Sequence, residues 1–165
     1  RGPRPNAAGN PVRPLRRDRA IPMSTVCTPI YDLDEWRNPN VVKVLRSCAG
    51  FALYFSRAPI PYRRNDRVDP RGEKPGRPPK RRLWGYRHLG LYVFRRDFLF
   101  RFARLRPTAL EQIENLEQLR ALQNGYPIYV AEVDEPSIEV DTVADLREAK
   151  RYLQSGLNER KLWRR

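Results

Sequence analysis

Apolar residues along this chain fall in short runs broken by proline, glycine and charge, a rhythm that predicts strands alternating with brief helices. Met23–Ile30, MSTVCTPI, is β-rich, with Pro22 before it and Pro29 near its end, and reads as a buried strand. A short helix is predicted over Leu33–Arg37, ahead of Pro39. Residues 41–46 and 51–57 are β-prone runs on either side of Ser47, Cys48, Ala49 and Gly50, a compact turn ending in glycine, and together they predict a hairpin. Residues 86–94 resume a strand, and residues 97–105 predict a helix with Phe98, Leu99, Phe102 and Leu105 on one side.

The strongest local signals lie in residues 109–124. Thr108 is placed as an N-cap, and Glu111 three positions later completes a capping box. Leu110, Ile113, Leu116, Leu119 and Leu122 then predict one amphipathic helix with a buried stripe, and Gly125 ends it where a left-handed residue costs little. A strand follows at residues 128–133, and Thr142 is placed as the cap of a last helix over residues 143–154, stopped by Gly156. The order of elements is α/β with one hairpin in the middle, and a length of 165 residues suits one domain.

Two stretches do not fit that rhythm. Residues 1–22 carry five prolines and six arginines without periodicity and are expected to be an irregular basic arm. Residues 58–82 hold six prolines and nine Arg or Lys against three acids; a solvated, flexible insertion is expected at about residues 63–82, and residues 156–165 read as a basic tail. The formal net charge of +14 favours polyanionic partners such as phosphates, nucleotides or RNA. Cys27 and Cys48 lack metal-ligand spacing and the chain has 1 histidine, which argues against a transition-metal centre, and two reduced thiols are expected. No apolar run approaches the roughly 20 residues of a membrane-spanning helix, and there is no signal-peptide core. The chain starts at Arg1 rather than Met, which reads as a processed product, a fragment or a missing start.

Four ordered blocks then bring a family into view: FALYFSRAPIPY at 51–62, YRHLGLYVFRRDFL at 86–99, ALEQIENLEQLRALQNGYPIYVAEV at 109–133 and VDTVADL at 140–146. Together with PIYDLDEWRNPNVVKVL at 29–45 they resemble the later part of the CMP-Kdo synthetases, the 3-deoxy-manno-octulosonate cytidylyltransferases. The resemblance implies an α/β, partial Rossmann-like nucleotidyltransferase fold, a mixed sheet flanked by helices. It also implies the reaction of CTP with the acid sugar Kdo to give CMP-Kdo and pyrophosphate, in which positioning and neutralisation of phosphate charge dominate. By that resemblance Arg57 faces an anion, His88 and Tyr92 line the sugar pocket, and Glu117 and Gln118 bind sugar hydroxyls. Asp141, in the VDT step, matches a Mg²⁺ ligand, a hard oxygen donor suited to that ion.

Two features of the family have no counterpart here: the Arg-, Gly- and Lys-bearing loop that cradles the triphosphate, and the GDEP-like turn whose Asp is the second magnesium ligand. The expectation is therefore a sugar-binding portion without the CTP-binding portion, inactive as an isolated chain, with a homodimer partner or a separate nucleotide-binding segment covering its exposed edges. The alternative from a different class is a non-catalytic descendant that binds RNA, such as a subunit of a mitochondrial ribosome. The first reading implies a cytoplasmic location and the second a mitochondrial one.

Overall fold

The computed structural model describes residues 10–62, 64, 82–133, 147 and 150. The chain divides into two compact units, Arg1–Asp134 and Glu135–Arg165; of the second, Arg147 and Lys150 are described, and both are helical. The expected last helix, the VDT step with Asp141, the tail and nearly all of the expected insertion fall outside the described residues.

In the first unit the elements run α1 (Val12–Arg17), β1 (Met23–Ile30), α2 (Leu33–Arg37), β2 (Lys43–Arg46), β3 (Ala52–Ser56), β4 (Gly85–Phe94), α3 (Arg96–Phe102), α4 (Ala109–Glu114), α5 (Leu119–Gln123) and β5 (Ile128–Glu132). Among the described residues these strands form one sheet in the order β3-β2-β4-β1-β5. β1 runs antiparallel to β4 and parallel to β5, and β2 is antiparallel to both of its neighbours, so the sheet is mixed, as expected. No described helix is long and apolar enough to cross a membrane.

Local chemistry explains the short elements. In α2 the Asp32 carboxylate accepts from the N–H groups of Asp34 and Glu35 at 2.7 and 2.9 Å, so two of the helix's orphan donors are satisfied and acids sit at its positive end. Gly50 closes the hairpin turn at φ +86°, and a Cβ there would lie 2.9 Å from the Tyr129 ring, so conformation and space both demand glycine. The Gly50 carbonyl accepts from Val130 N–H at 2.8 Å, which seats the hairpin tip on β5. Arg46 crosses the same gap, with Nη2 2.6 Å from the Glu132 carboxylate and its guanidinium 4.7 Å from the centre of the Tyr86 ring.

One face of the sheet carries the main core. Met23, Cys27, Val44, Phe55, Ile128 and Val130 pack there with Phe98, Phe102, Leu116, Leu119 and Ala121. Each large apolar side chain removed from water contributes about 1.5–3 kcal/mol before entropy is charged against it. A smaller cluster of Val26, Leu89 and Ala131 occupies the other face. Cys27 and Cys48 are free, as expected; Cys27 is buried, and burial pushes its thiol up to about 12, so it is an inert core atom rather than a nucleophile.

Three sequence expectations are corrected. The arm over residues 1–22 contains a helix at Val12–Arg17. Pro14 is tolerated because it stands in the first turn, where no intrahelical N–H partner is required, and the helix end is fastened by Arg95, which donates to the carbonyls of Leu15, Asp18 and Ile21. The helix expected over residues 97–105 stops at Phe102 and buries Phe98 and Phe102, whereas Leu99 is 45% exposed. The single helix expected over residues 109–124 is two helices, α4 and α5, broken at Asn115, which sits in the left-handed region at φ 53°. Leu116 N–H reaches back to the Glu111 carbonyl at 3.1 Å, a left-handed helix stop, and asparagine is among the few residues that accept that conformation cheaply. The break rotates the stripe: Leu116 and Leu119 are buried, while Ile113 is 78% exposed.

Candidate functional site

β4 positions the first two expected site residues. Thr25 of β1 pairs with Tyr92 while the next residue, Val26, pairs with Leu89, so Gly90 and Leu91 form a two-residue bulge in β4. That bulge returns His88 and Tyr92 to one face, the face of their register partners Cys27 and Thr25. Their rings lie 5.5 Å apart, and the Phe55 ring meets His88 edge-on at 4.8 Å. His88 is buried, and its Nε2 stands 2.9 Å from Thr25 Oγ1. Burial among rings lowers its pKa from 6.5 to about 4, so the imidazole is neutral at pH 7.

That shift has a measurable consequence. The folded state holds His88 neutral below the pH at which the unfolded chain protonates it, so stability is full above 6.5 and declines as pH falls toward 4. The loss from this one group is on the order of 2–3 kcal/mol. Chemical denaturation between pH 7 and pH 4 is expected to show a steeper fall for the native chain than for His88→Gln; equal slopes would contradict the buried neutral ring.

The break between α4 and α5 sets the next pair, and it separates them. Gln118 is buried, and its Nε2 has no hydrogen-bond partner among the described residues. The flanking Leu116 and Leu119 lie in the same core as Phe55, against which Tyr92 also packs. Glu117, one residue earlier, faces outward with its side chain 68% exposed, 3.6 Å from Arg120 Nη2. The turn after the left-handed Asn115 sends these consecutive side chains in opposite directions, Glu117 outward and Gln118 into the core.

Arg57 is held at the end of α4. Its Nε donates to the Glu114 carbonyl at 2.9 Å, its backbone N–H to the Glu114 carboxylate at 2.9 Å and its Nη1 to the Pro39 carbonyl at 3.2 Å. The same carboxylate accepts from Ser56 Oγ at 2.5 Å and from Tyr54 hydroxyl at 3.4 Å. Burial works to raise the pKa of Glu114, but these donors and the Arg57 charge together outweigh it and hold the carboxyl below its ordinary value. Lys43 completes the assembly. It is fully buried, and its Nζ donates to the carbonyls of Asn38, Val41 and Arg57 at 2.9, 2.5 and 2.6 Å. Burial lowers its pKa, with the Glu114 charge opposing and the Arg57 charge adding to that effect.

Sequence reasoning missed Thr25, Phe55, Lys43 and Glu114. Lys43 had a visible signal, a lone cation inside the apolar run VVKVL; Glu114 had none, because it reads as one more exposed helix position. Asp141 lies outside the described residues, and among them no three His, Cys, Asp or Glu side chains gather to hold a metal ion. No magnesium site is defined by the described residues.

The mixed five-stranded sheet flanked by helices matches part of a nucleotidyltransferase fold, and the sequence agrees. The profile of the family described as Cytidylyltransferase matches residues 7–134, and the chain belongs to that family. More particularly, it is similar to the 3-deoxy-manno-octulosonate cytidylyltransferases, at 50% identity to that of Syntrophotalea carbinolica, over 87% of this chain and 55% of the relative. The corresponding protein of Geotalea uraniireducens is 47% identical over 87% of this chain and 56% of the relative. The solved structure of a CMP:2-keto-3-deoxy-manno-octonic acid synthetase complexed with CTP matches with a TM-score of 0.74 and 34% identity, covering 88% of this chain and 54% of that one. The chain spans about half the length of the curated relatives it matches. The RNA-binding alternative rested on net charge and gains no support from these relatives.

Proposed function

We propose that this chain supplies the acid-sugar side of a cytidylyl-transfer site, with 3-deoxy-manno-octulosonate as the sugar. In the reaction so assigned, the anomeric hydroxyl oxygen forms a bond to the α-phosphorus of CTP, the α–β phosphoanhydride bond breaks, pyrophosphate leaves and the hydroxyl proton is released. The residues described here bind and orient the sugar. Gln118 offers an amide donor to a hydroxyl or carboxylate oxygen, His88 a ring nitrogen, Tyr92 a phenol on the same strand face, and Arg57 positive charge. The location that goes with this reading is the cytoplasm.

The observation that carries the reading is the Gln118 amide, buried and without a partner among the described residues. A donor kept dry and unpaired costs about 1–3 kcal/mol, a cost that a ligand accepting from it removes. The test separates binding from folding. Replacing Gln118 with Met is expected to leave the urea midpoint of the free chain unchanged or raised, while calorimetric affinity for 3-deoxy-manno-octulosonate falls about tenfold. Unaltered affinity, or a stability loss as large as the binding loss, would reject Gln118 as a ligand residue.

A further inference from the structure

The environment of His88 constrains which of its nitrogens carries the proton. Thr25 is fully buried, and its Oγ1 stands 2.8 Å from the Leu91 carbonyl, 3.2 Å from the Leu89 carbonyl and 2.9 Å from His88 Nε2. A hydroxyl has one proton to give, and both carbonyls can only accept. Sending that proton to the imidazole would leave the Thr25 oxygen facing two carbonyl oxygens with nothing between them. Given to a carbonyl, the proton leaves an oxygen lone pair on the threonine, which only an N–H at Nε2 can satisfy. The bulge in β4 produces this arrangement, since Gly90 and Leu91 turn the strand so that the Leu89 and Leu91 carbonyls both face one hydroxyl.

We propose that Thr25 is a positioning residue that fixes His88 as its Nε2–H tautomer, so that Nδ1 is presented as a hydrogen-bond acceptor and the site selects a hydroxyl donor rather than an anion at that point. A neutral ring has one proton, and with Nε2 occupied the lone pair on Nδ1 repels a carboxylate or phosphate oxygen and welcomes an O–H. Nδ1 makes no hydrogen bond to the described residues. The identity of the hydroxyl as that of the acid sugar rests on the function proposed above; the tautomer does not.

The chain contains 1 histidine, so a long-range ¹H–¹⁵N spectrum of the full ¹⁵N-labelled chain reads this ring without ambiguity. At neutral pH the native chain is expected to show an N–H-type shift at Nε2 and a bare-nitrogen shift at Nδ1. Thr25→Ser is expected to keep that pattern and Thr25→Val to admit the other tautomer, the two resonances moving toward each other. An N–H-type shift at Nδ1 in the native chain overturns the proposal, as does a valine variant that folds with the native pattern. If the valine variant does not fold, the native and serine spectra still decide, since either one showing the Nδ1–H tautomer overturns it. Addition of 3-deoxy-manno-octulosonate is then expected to shift Nδ1 in the native and serine chains, with affinity about tenfold lower in Thr25→Val. A native chain with the stated tautomer whose Nδ1 does not respond to the sugar upholds the role of Thr25 and overturns the acid-sugar reading instead.

Discussion

Lys43→Met is expected to lower the unfolding free energy by about 3–5 kcal/mol, the scale on which removing one partner from a buried charged assembly is felt. Methionine nearly matches the lysine stem in volume, so packing is preserved and the loss is polar. Three carbonyls, those of Asn38, Val41 and Arg57, lose their shared donor at once. The Asn38 carbonyl keeps the Val41 N–H at 3.1 Å, so the loss falls on the carbonyls of Val41 and Arg57, each at a cost of about 1–3 kcal/mol, and recovery of the ammonium desolvation penalty offsets part of the sum. Because the Arg57 carbonyl is one of the three, the effect should reach the Arg57–Glu114 assembly as well. Urea denaturation of Lys43→Met beside Lys43→Arg checks this. A methionine variant as stable as the native chain would mean that the ammonium costs as much to bury as its hydrogen bonds return.

The second large effect is expected at Phe55. Phe55→Ala should lose about 3–5 kcal/mol, the usual range for a fully buried aromatic cut back to alanine. Phe55 is fully buried on the main core face, pairs with Val44 across the hairpin and lies edge-on to His88 at 4.8 Å. Leu53 on the same strand is 62% exposed and serves as the control, with Leu53→Ala expected to change stability by no more than about 0.5 kcal/mol. A second readout ties the core to the site. Water admitted to the vacated volume should let the His88 pKa rise from about 4 toward 6.5, which a pH titration of its ring protons would record. A variant destabilised with an unmoved histidine would show that other groups keep the ring dry.

Much of the strand pattern was legible because it rests on local composition. MSTVCTPI, the hairpin around Gly50 and the strand at HLGLY each carry apolar, β-branched or aromatic runs closed by turn residues, and the structure places strands at all three. What was not legible depended on distant partners. The break at Asn115 is written in one residue that also suits an exposed helix face, and it is fixed in space by Tyr54 and Ser56 of β3 and Arg57 just after it, which grip Glu114 from about 60 residues earlier. No window of helical periodicity contains that information. The same holds for the candidate site: His88, Tyr92 and Gln118 were singled out through family resemblance, whereas the place of Thr25 beside His88 depends on a bulge that only the β1–β4 register reveals.

The parallel pairing of β1 with β5 also bears on how the chain reaches this state. Met23 aligns with Ile128, so the ladder joins segments separated by most of the described chain, whereas β2 and β3 meet across a turn from Ser47 to Gly50. Loop-closure entropy must be met before so distant a contact gives anything back, and folding slows as such contacts accumulate. The hairpin is therefore expected early and β5 late. Until β5 arrives, the edge of β1 stands open along a run of residues that the finished fold buries, a surface on which neighbouring chains can pair. In this molecule the interval between collapse and completion, rather than the finished fold, is where aggregation competes with the native state.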